Sequence, residues 1–172
     1  MDIALFLKDS KIMISVFITS SEEKSSVLAP IALKLYNGKE ESLSYDENGR
    51  PVFESTEVSI SHSGEYWCCA FFAGTCGIDI ERIREIDYMR LSGRFFASSE
   101  KKMVTDQESF FRIWTAKESY AKYTGRGLIR TMKDSPFENH VHIHSENPAE
   151  GYIMSICTAQ PETPVIRYFE VD

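Results

Sequence analysis

The stretch GIDIERI at residues 77–83 places two carboxylates, Asp79 and Glu81, one residue apart in a run with the β-branched content of a buried strand. Alternate residues of a strand share a face, so the two acids project together while Ile78 and Ile80 point into the core. Unscreened, such a pair is mutually repulsive and each carboxylate raises the pKa of the other. A hard divalent cation removes that cost. Mg2+, which takes a few carboxylates together with waters and phosphate oxygens, suits a DxE strand as half of a site. The competing reading is an acidic pair on a solvated strand face.

A second segment adds to the first. Within WTAKESYAK at residues 114–122, Glu118 and Lys122 are four apart and share one helical face, acid before base. Alone they read as a surface ion pair worth ~0.5 kcal/mol. Trp114, Phe110, Phe111, Ile113 and Tyr120 imply a helix packed on a sheet, with Glu118 partly buried. A third carboxylate beside a lysine completes a site for a cation and a phosphate. In SISHSGEYW, Ser61, His62 and Ser63 precede Gly64 and form a candidate anion-binding turn. The alternative is a structural, hydrogen-bonded histidine. His140, His142 and His144 alternate in HVHIHS and could face a zinc ion. A polar, solvated strand face is the preferred reading there.

The elements that must hold these residues follow from hydrophobic periodicity. The opening MDIALFLKDSKIMISVFITS reads as a hairpin of two strands. A helix is expected after it, capped by Ser20 or Ser21, with Val27, Ile31 and Leu35 on its apolar face. Asn37 and Gly38 end it, and Pro30 kinks or divides it. Asn48-Gly49 ahead of Pro51 marks a turn. EVSISHS, YWCCAFFAG and CGIDIERI read as strands, and short helices are expected around Gly93, the last capped by Ser98 or Ser99. DQESFFRIWTAKESYAKYTGRG is a long helix, acidic at its start and ending at Gly125. PFENHVHIHS, EGYIMSICTA and PVIRYFEV are three further strands. The fold class is α+β.

With 172 residues and 42% hydrophobic content, the chain has enough material for one sizeable core or two small lobes sharing one. A net charge of −7 argues against nucleic acid as a partner. No segment is long and apolar enough for a bilayer, and the N-terminal stretch lacks the basic start and cleavage site of a secretory signal. Cys68, Cys69, Cys76 and Cys157 lie in apolar runs without CxxC spacing, which suits reduced, buried thiols in a cytoplasmic protein.

Taken in order, GRP at 49–51, SHS at 61–63, GIDIE at 77–81, WTAKESYAK at 114–122 and GRGL at 125–128 resemble the motifs of the 4'-phosphopantetheinyl transferases, the surfactin-type branch in particular. The likeness covers roughly residues 45–172. It implies two related α/β lobes with pseudo-twofold symmetry, residues 1–75 and 76–172, sharing one cleft that holds coenzyme A. It also implies a reaction, in which the 4'-phosphopantetheine arm of coenzyme A passes to a serine of an apo acyl or peptidyl carrier protein and adenosine 3',5'-bisphosphate leaves.

On that likeness Asp79, Glu81 and Glu118 are the ligands of Mg2+, for which Mn2+ can substitute. Lys122 steadies the bridging or leaving oxygen, and Glu118 or a water beside it takes the serine proton. His62 and Ser63 contact coenzyme A phosphate, and Arg50 and Pro51 line the nucleotide. Arg50 stands where the family has lysine, keeping charge but changing donor geometry. Larger members begin with an additional helical, basic segment, whereas about 45 residues precede GRP here; coenzyme A binding is then expected to be weaker or to rely on Lys24, Lys39, Arg50 and His62. GLIRTMKDSPF, with Arg126, Arg130 and Lys133, is the expected docking surface for an acidic carrier. A monomer suffices for such a fold. A non-catalytic binder of coenzyme A or carrier and a metal-dependent phosphohydrolase remain as alternatives.

Overall fold

Strand β1 (Ser15–Ser20) is the second half of the expected hairpin. The computed structural model describes residues 13–171, and the first half of that hairpin lies outside the described residues. Helix α1 (Ser25–Asn37) starts later than expected, with Lys24 as its N-cap. Ser21 instead accepts the Glu23 N–H in a local turn, at 3.1 Å. The helix is continuous through Pro30 and stops at Gly38, whose left-handed backbone lets its N–H reach the Lys34 carbonyl. Its buried face is Leu28, Ala29, Ala32 and Leu33, while Val27 and Leu35 are exposed. The buried stripe is thus shifted by one residue from the expected one.

Two short strands, β2 (Ser44–Tyr45) and β3 (Pro51–Val52), flank the Asn48-Gly49 turn. Asp46 Oδ1 accepts the N–H groups of Asn48 and Arg50 there, at 2.9 and 2.8 Å. Strands β4 (Val58–Ser63), β5 (Tyr66–Phe71) and β6 (Gly77–Arg82) follow. Ser61, His62 and Ser63 are thus the end of a strand, and the turn itself is Gly64-Glu65. Helix α2 (Tyr88–Phe95) contains Gly93 rather than breaking at it, and α3 (Ser98–Lys101) begins after Ala97. The Ala97 N–H is taken by Glu100 Oε2 at 2.8 Å, so neither Ser98 nor Ser99 is the cap.

The long helix α4 (Gln107–Thr124) matches expectation, capped by Asp106 and ended by Gly125. A short α5 (Leu128–Thr131) and a 3-10 turn at Pro136–Glu138 lead to β7 (His142–Glu146), β8 (Tyr152–Thr158) and β9 (Val165–Tyr168). The first sheet runs in the order β4-β5-β1-β9 and the second β6-β8-β7. β9 pairs parallel with β1, so a strand from the end of the chain belongs to the first sheet.

The α+β fold stacks in layers. α1 covers one face of the first sheet through Phe17, Trp67, Cys69 and Phe71. The alternate residues, Val16, Ile18, Cys68 and Ala70, meet Ile78, Ile80, Met154 and Ile156 of the second sheet. Phe110, Phe111 and Ile113 of α4 pack with Ile153 on the far side of that sheet. All four cysteines are free and buried in these layers, and burial pushes the Cys68, Cys76 and Cys157 thiols up to about 12. Among the described residues, no helix is long and apolar enough to cross a membrane.

Candidate active site

The β6 strand lies at the edge of its sheet, and its outward N–H groups need partners. Three serines of β4 supply them. Ser59, Ser61 and Ser63 accept the N–H groups of Ile78, Ile80 and Arg82 at 3.0, 3.3 and 3.1 Å. The period of two is the same on both strands, so the hydroxyls step along β6 in register. Two of them also donate: Ser61 Oγ to Asp79 Oδ1 at 2.8 Å and Ser63 Oγ to Glu81 Oε2 at 2.9 Å. The expected sharing of one face by Asp79 and Glu81 is therefore real, and Ile78 and Ile80 are buried behind them.

Helix α4 reaches this strand because Gly77 has no side chain. A Cβ there would overlap the Ser119 carbonyl oxygen and stand 2.6 Å from the Tyr123 nitrogen. The close approach carries Lys122 over β6, where its Nζ donates to the Ile78 carbonyl at 2.8 Å and to Asp79 Oδ1 at 2.9 Å. Asp79 is 6% exposed, and its other oxygen, Oδ2, is buried without a partner. Burial raises its carboxyl above the usual range, opposed by Lys122 and Ser61 and reinforced by Glu81. Burial likewise pushes Glu118 up to about 7, with the charges of Asp79 and Glu81 adding to the effect and Lys122 opposing it. The charges of Asp79 and Glu81 on β6 thus act on Glu118 of α4.

They do not form a ready cage. Among the described residues, no group of three or more His, Cys, Asp or Glu side chains stands in a metal-ligating arrangement. Asp79 is held by Lys122, and Glu81 by Arg84, whose Nη1 lies 2.9 Å from Oε2. Arg84 also covers the Phe111 ring at 5.0 Å. The donor chemistry nevertheless fits a hard cation: the oxygens are carboxylate, they repel, and Asp79 Oδ2 has no partner.

Glu118 and Lys122 also line a cavity of about 320 Å³, together with Asn48, Arg50, Pro51 and Gly127. Arg50 and Pro51 are thus brought to the same cleft as the α4 pair. His62 is exposed and is not among the residues of that cavity, and Ser63 is committed to Glu81 and Arg82. His144 pairs with Glu146 at 3.0 Å on β7.

Sequence reasoning passed over two features. Arg84, three residues after Glu81, offered the usual charge-pair spacing. Lys117 stands inside the quoted WTAKESYAK motif, yet it is 1% exposed and its Nζ is bound by both Glu100 oxygens, at 3.0 and 2.8 Å, and by the Asp134 carbonyl at 2.9 Å. Its position on the Phe110 and Ile113 side of α4 was the available signal.

Two acids of strand β6 and the Glu118–Lys122 pair of helix α4 are thus brought to one end of the seam between the sheets, next to a cleft that the α4 pair lines. Residues 75–163 match the family model of the 4'-phosphopantetheinyl transferase superfamily. The chain is 30% identical over 145 residues to the 4'-phosphopantetheinyl transferase Sfp of Bacillus subtilis (strain 168), covering 70% of this chain and 64% of that protein. It is 40% identical over 90 residues to the 4'-phosphopantetheinyl transferase gsp of Aneurinibacillus migulanus, covering 48% and 38%. To the 4'-phosphopantetheinyl transferase AcpT of Escherichia coli O157:H7 it is 30% identical over 131 residues, covering 69% and 67%. The chain belongs to the 4'-phosphopantetheinyl transferase superfamily, on the Sfp-like side. It spans 64% of the length of Sfp and 38% of that of gsp.

Proposed function

We propose that the protein transfers the 4'-phosphopantetheine arm of coenzyme A to a serine of an apo carrier protein, in a Mg2+-dependent reaction. The observation that carries this reading is the ion pair of Asp79 with Lys122, a lysine that lines one cleft together with Glu118, Arg50 and Pro51. Mg2+ would be held by Asp79, Glu81 and Glu118 and, when bound, supplies positive charge to the diphosphate of coenzyme A.

Transfer of this kind depends on placement and charge more than on covalent chemistry by the protein. The serine oxygen of the carrier bonds to the β-phosphorus, the bond to the bridging oxygen breaks, and adenosine 3',5'-bisphosphate departs with that oxygen. Lys122, held by the Ile78 carbonyl, offers positive charge to the leaving oxygen. Glu118, which lines the cleft with Lys122, or a water beside it, is the candidate base for the serine proton. Arg50, whose guanidinium lies beside Gly125, contacts the nucleotide with Pro51. His62, which is exposed, remains a candidate for coenzyme A phosphate, and Ser63 is one only if its hydroxyl gives up Glu81.

The carrier is read as docking on the α5 region, where Ile129 is 91% exposed and flanked by Arg130, with Lys133 four residues on. A division into lobes 1–75 and 76–172 around one cleft belongs to the same proposal, with β9 of the second returning to the sheet of the first, as do a cytoplasmic site of action and a monomeric state. A second reading, a binder without turnover, is favoured by the pairing of Asp79 and Glu81 with Lys122 and Arg84. One experiment separates them. Incubation with an apo carrier, coenzyme A and Mg2+ should raise the carrier's mass by that of the arm; an unmodified carrier with coenzyme A bound to the chain would favour the second reading.

A further inference from the structure

The β4 serines do two things with one hydroxyl each. Ser61 accepts the Ile80 N–H at 3.3 Å, and its only proton is then directed to Asp79 Oδ1 at 2.8 Å. Ser63 accepts the Arg82 N–H at 3.1 Å and directs its proton to Glu81 Oε2 at 2.9 Å. A hydroxyl whose lone pair is taken by a backbone donor cannot swing freely, so the backbone of β6 orients the hydroxyl and the hydroxyl orients the carboxylate of the neighbouring residue. Ser61 and Lys122 both bind the same oxygen of Asp79, which leaves Oδ2 as the unpartnered one. Ser59 makes the equivalent backbone contact, at 3.0 Å to Ile78, with no carboxylate recorded on it among the described residues.

We infer that Ser61 and Ser63 are positioning residues for the cation site: hydroxyls from the first sheet that hold Asp79 and Glu81, on the second, in the orientation needed to bind a divalent ion. The inference rests on the magnesium site proposed above. It gives the two serines a role distinct from contact with coenzyme A, and it makes the seam between the sheets part of the reaction's machinery.

Mn2+ binding by the full chain in the presence of coenzyme A, followed by the paramagnetic resonance signal of free Mn2+, tests it apart from turnover. Ser61→Ala should weaken Mn2+ binding by about tenfold or more and raise the Mg2+ concentration for half-maximal transfer alike, while KM for coenzyme A stays within about twofold. Ser61→Thr, which keeps the hydroxyl, should restore binding. Ser59→Ala should cost similar stability without moving Mn2+ affinity. If Ser61→Ala fails to fold, Ser63→Ala carries the same expectation at the more exposed Glu81. Unchanged Mn2+ affinity in a folded Ser61→Ala or Ser63→Ala protein overturns the inference alone. Absence of Mn2+ binding by the unaltered chain overturns the metal site and the inference with it.

Discussion

Lys122 Nζ stands 2.9 Å from Asp79 Oδ1, linking the helix α4 to the edge strand β6 by a charge pair whose aspartate is buried and whose lysine reaches the cleft. The pair is an arrangement of three parts: the lysine is also fixed by the Ile78 carbonyl and the aspartate by Ser61. Each part predicts a different outcome on mutation.

Asp79→Asn should abolish transfer, with a loss of at least ~100-fold in kcat/KM measured at saturating Mg2+. The fold should persist. Because burial raises the Asp79 carboxyl despite Lys122, its ionised form is a net cost to the metal-free chain. The melting temperature of Asp79→Asn without metal at neutral pH should therefore match or exceed that of the unaltered chain. A large fall in melting temperature would show that the ion pair is chiefly structural.

Gly77→Ala should be disproportionately harmful for one methyl group. The added carbon meets backbone of α4, at Ser119 and Tyr123, and backbone cannot rotate away as a side chain can. A loss of ~3 kcal/mol in denaturant unfolding is expected, together with lost activity as α4 lifts Glu118 and Lys122 from β6. A stable, active Gly77→Ala protein would contradict the close packing described.

The Lys117–Glu100 pair is buried on both sides. Lys117→Met alone leaves an uncompensated carboxylate and should cost ~3–5 kcal/mol, whereas Lys117→Met with Glu100→Leu should recover much of that loss. Urea melts of the single and double variants measure the coupling. Equal damage in both would mean that the Asp134 carbonyl contact, lost in each, is the dominant one.

The stability of the metal-free chain should fall as pH rises from about 4.5 to about 7, the interval between the ordinary Glu value and that of the buried Glu118. The folded state holds the Glu118 proton more tightly than the unfolded chain does, so its contribution is complete below 4.5 and gone above 7. The charged groups acting on it are Asp79, Glu81 and Lys122. Glu118→Gln should flatten this part of a stability-against-pH curve, by at most ~3 kcal/mol before solvent screening is allowed for.

Ile129→Glu should raise KM for the carrier by about tenfold while leaving KM for coenzyme A unchanged, if the exposed α5 side chain is an anchor of that contact. Initial rates with each substrate varied in turn separate the two constants.

Much of the site was legible in the chain because its signals are local. The period of two placed Asp79 with Glu81, the period of 3.6 placed Glu118 with Lys122, and the aromatic face of α4 announced a packed helix. The dipeptide Asn48-Gly49 marked its turn, and Gly38 and Gly125 ended their helices. Local rules failed where a neighbour decided the outcome. Val27 and Leu35 fall outside the buried face of α1, which is Leu28, Ala29, Ala32 and Leu33, and Ser61 and Ser63, expected as the end of a strand and part of an anion-binding turn, bond the edge of β6 instead.

By itself the sequence determined which residues share a face and which acids and cations are present, since these follow from backbone geometry and side-chain type within one element. Only the tertiary structure decided that Ser61 and Ser63 grip the two acids, that Arg84 and Lys122 neutralise them, that Lys117 is buried against Glu100, and that β9 returns to lie parallel with β1. Apart from Arg84 and Glu81, which are three residues apart, these relationships join segments 17 or more residues apart, as with Lys117 and Glu100 or, across the β1–β9 pairing, Ser15 and Arg167 at 152. Periodicity carries no information across such gaps; the burial of two sheets against each other, and the need of an exposed strand edge for hydrogen-bond partners, do.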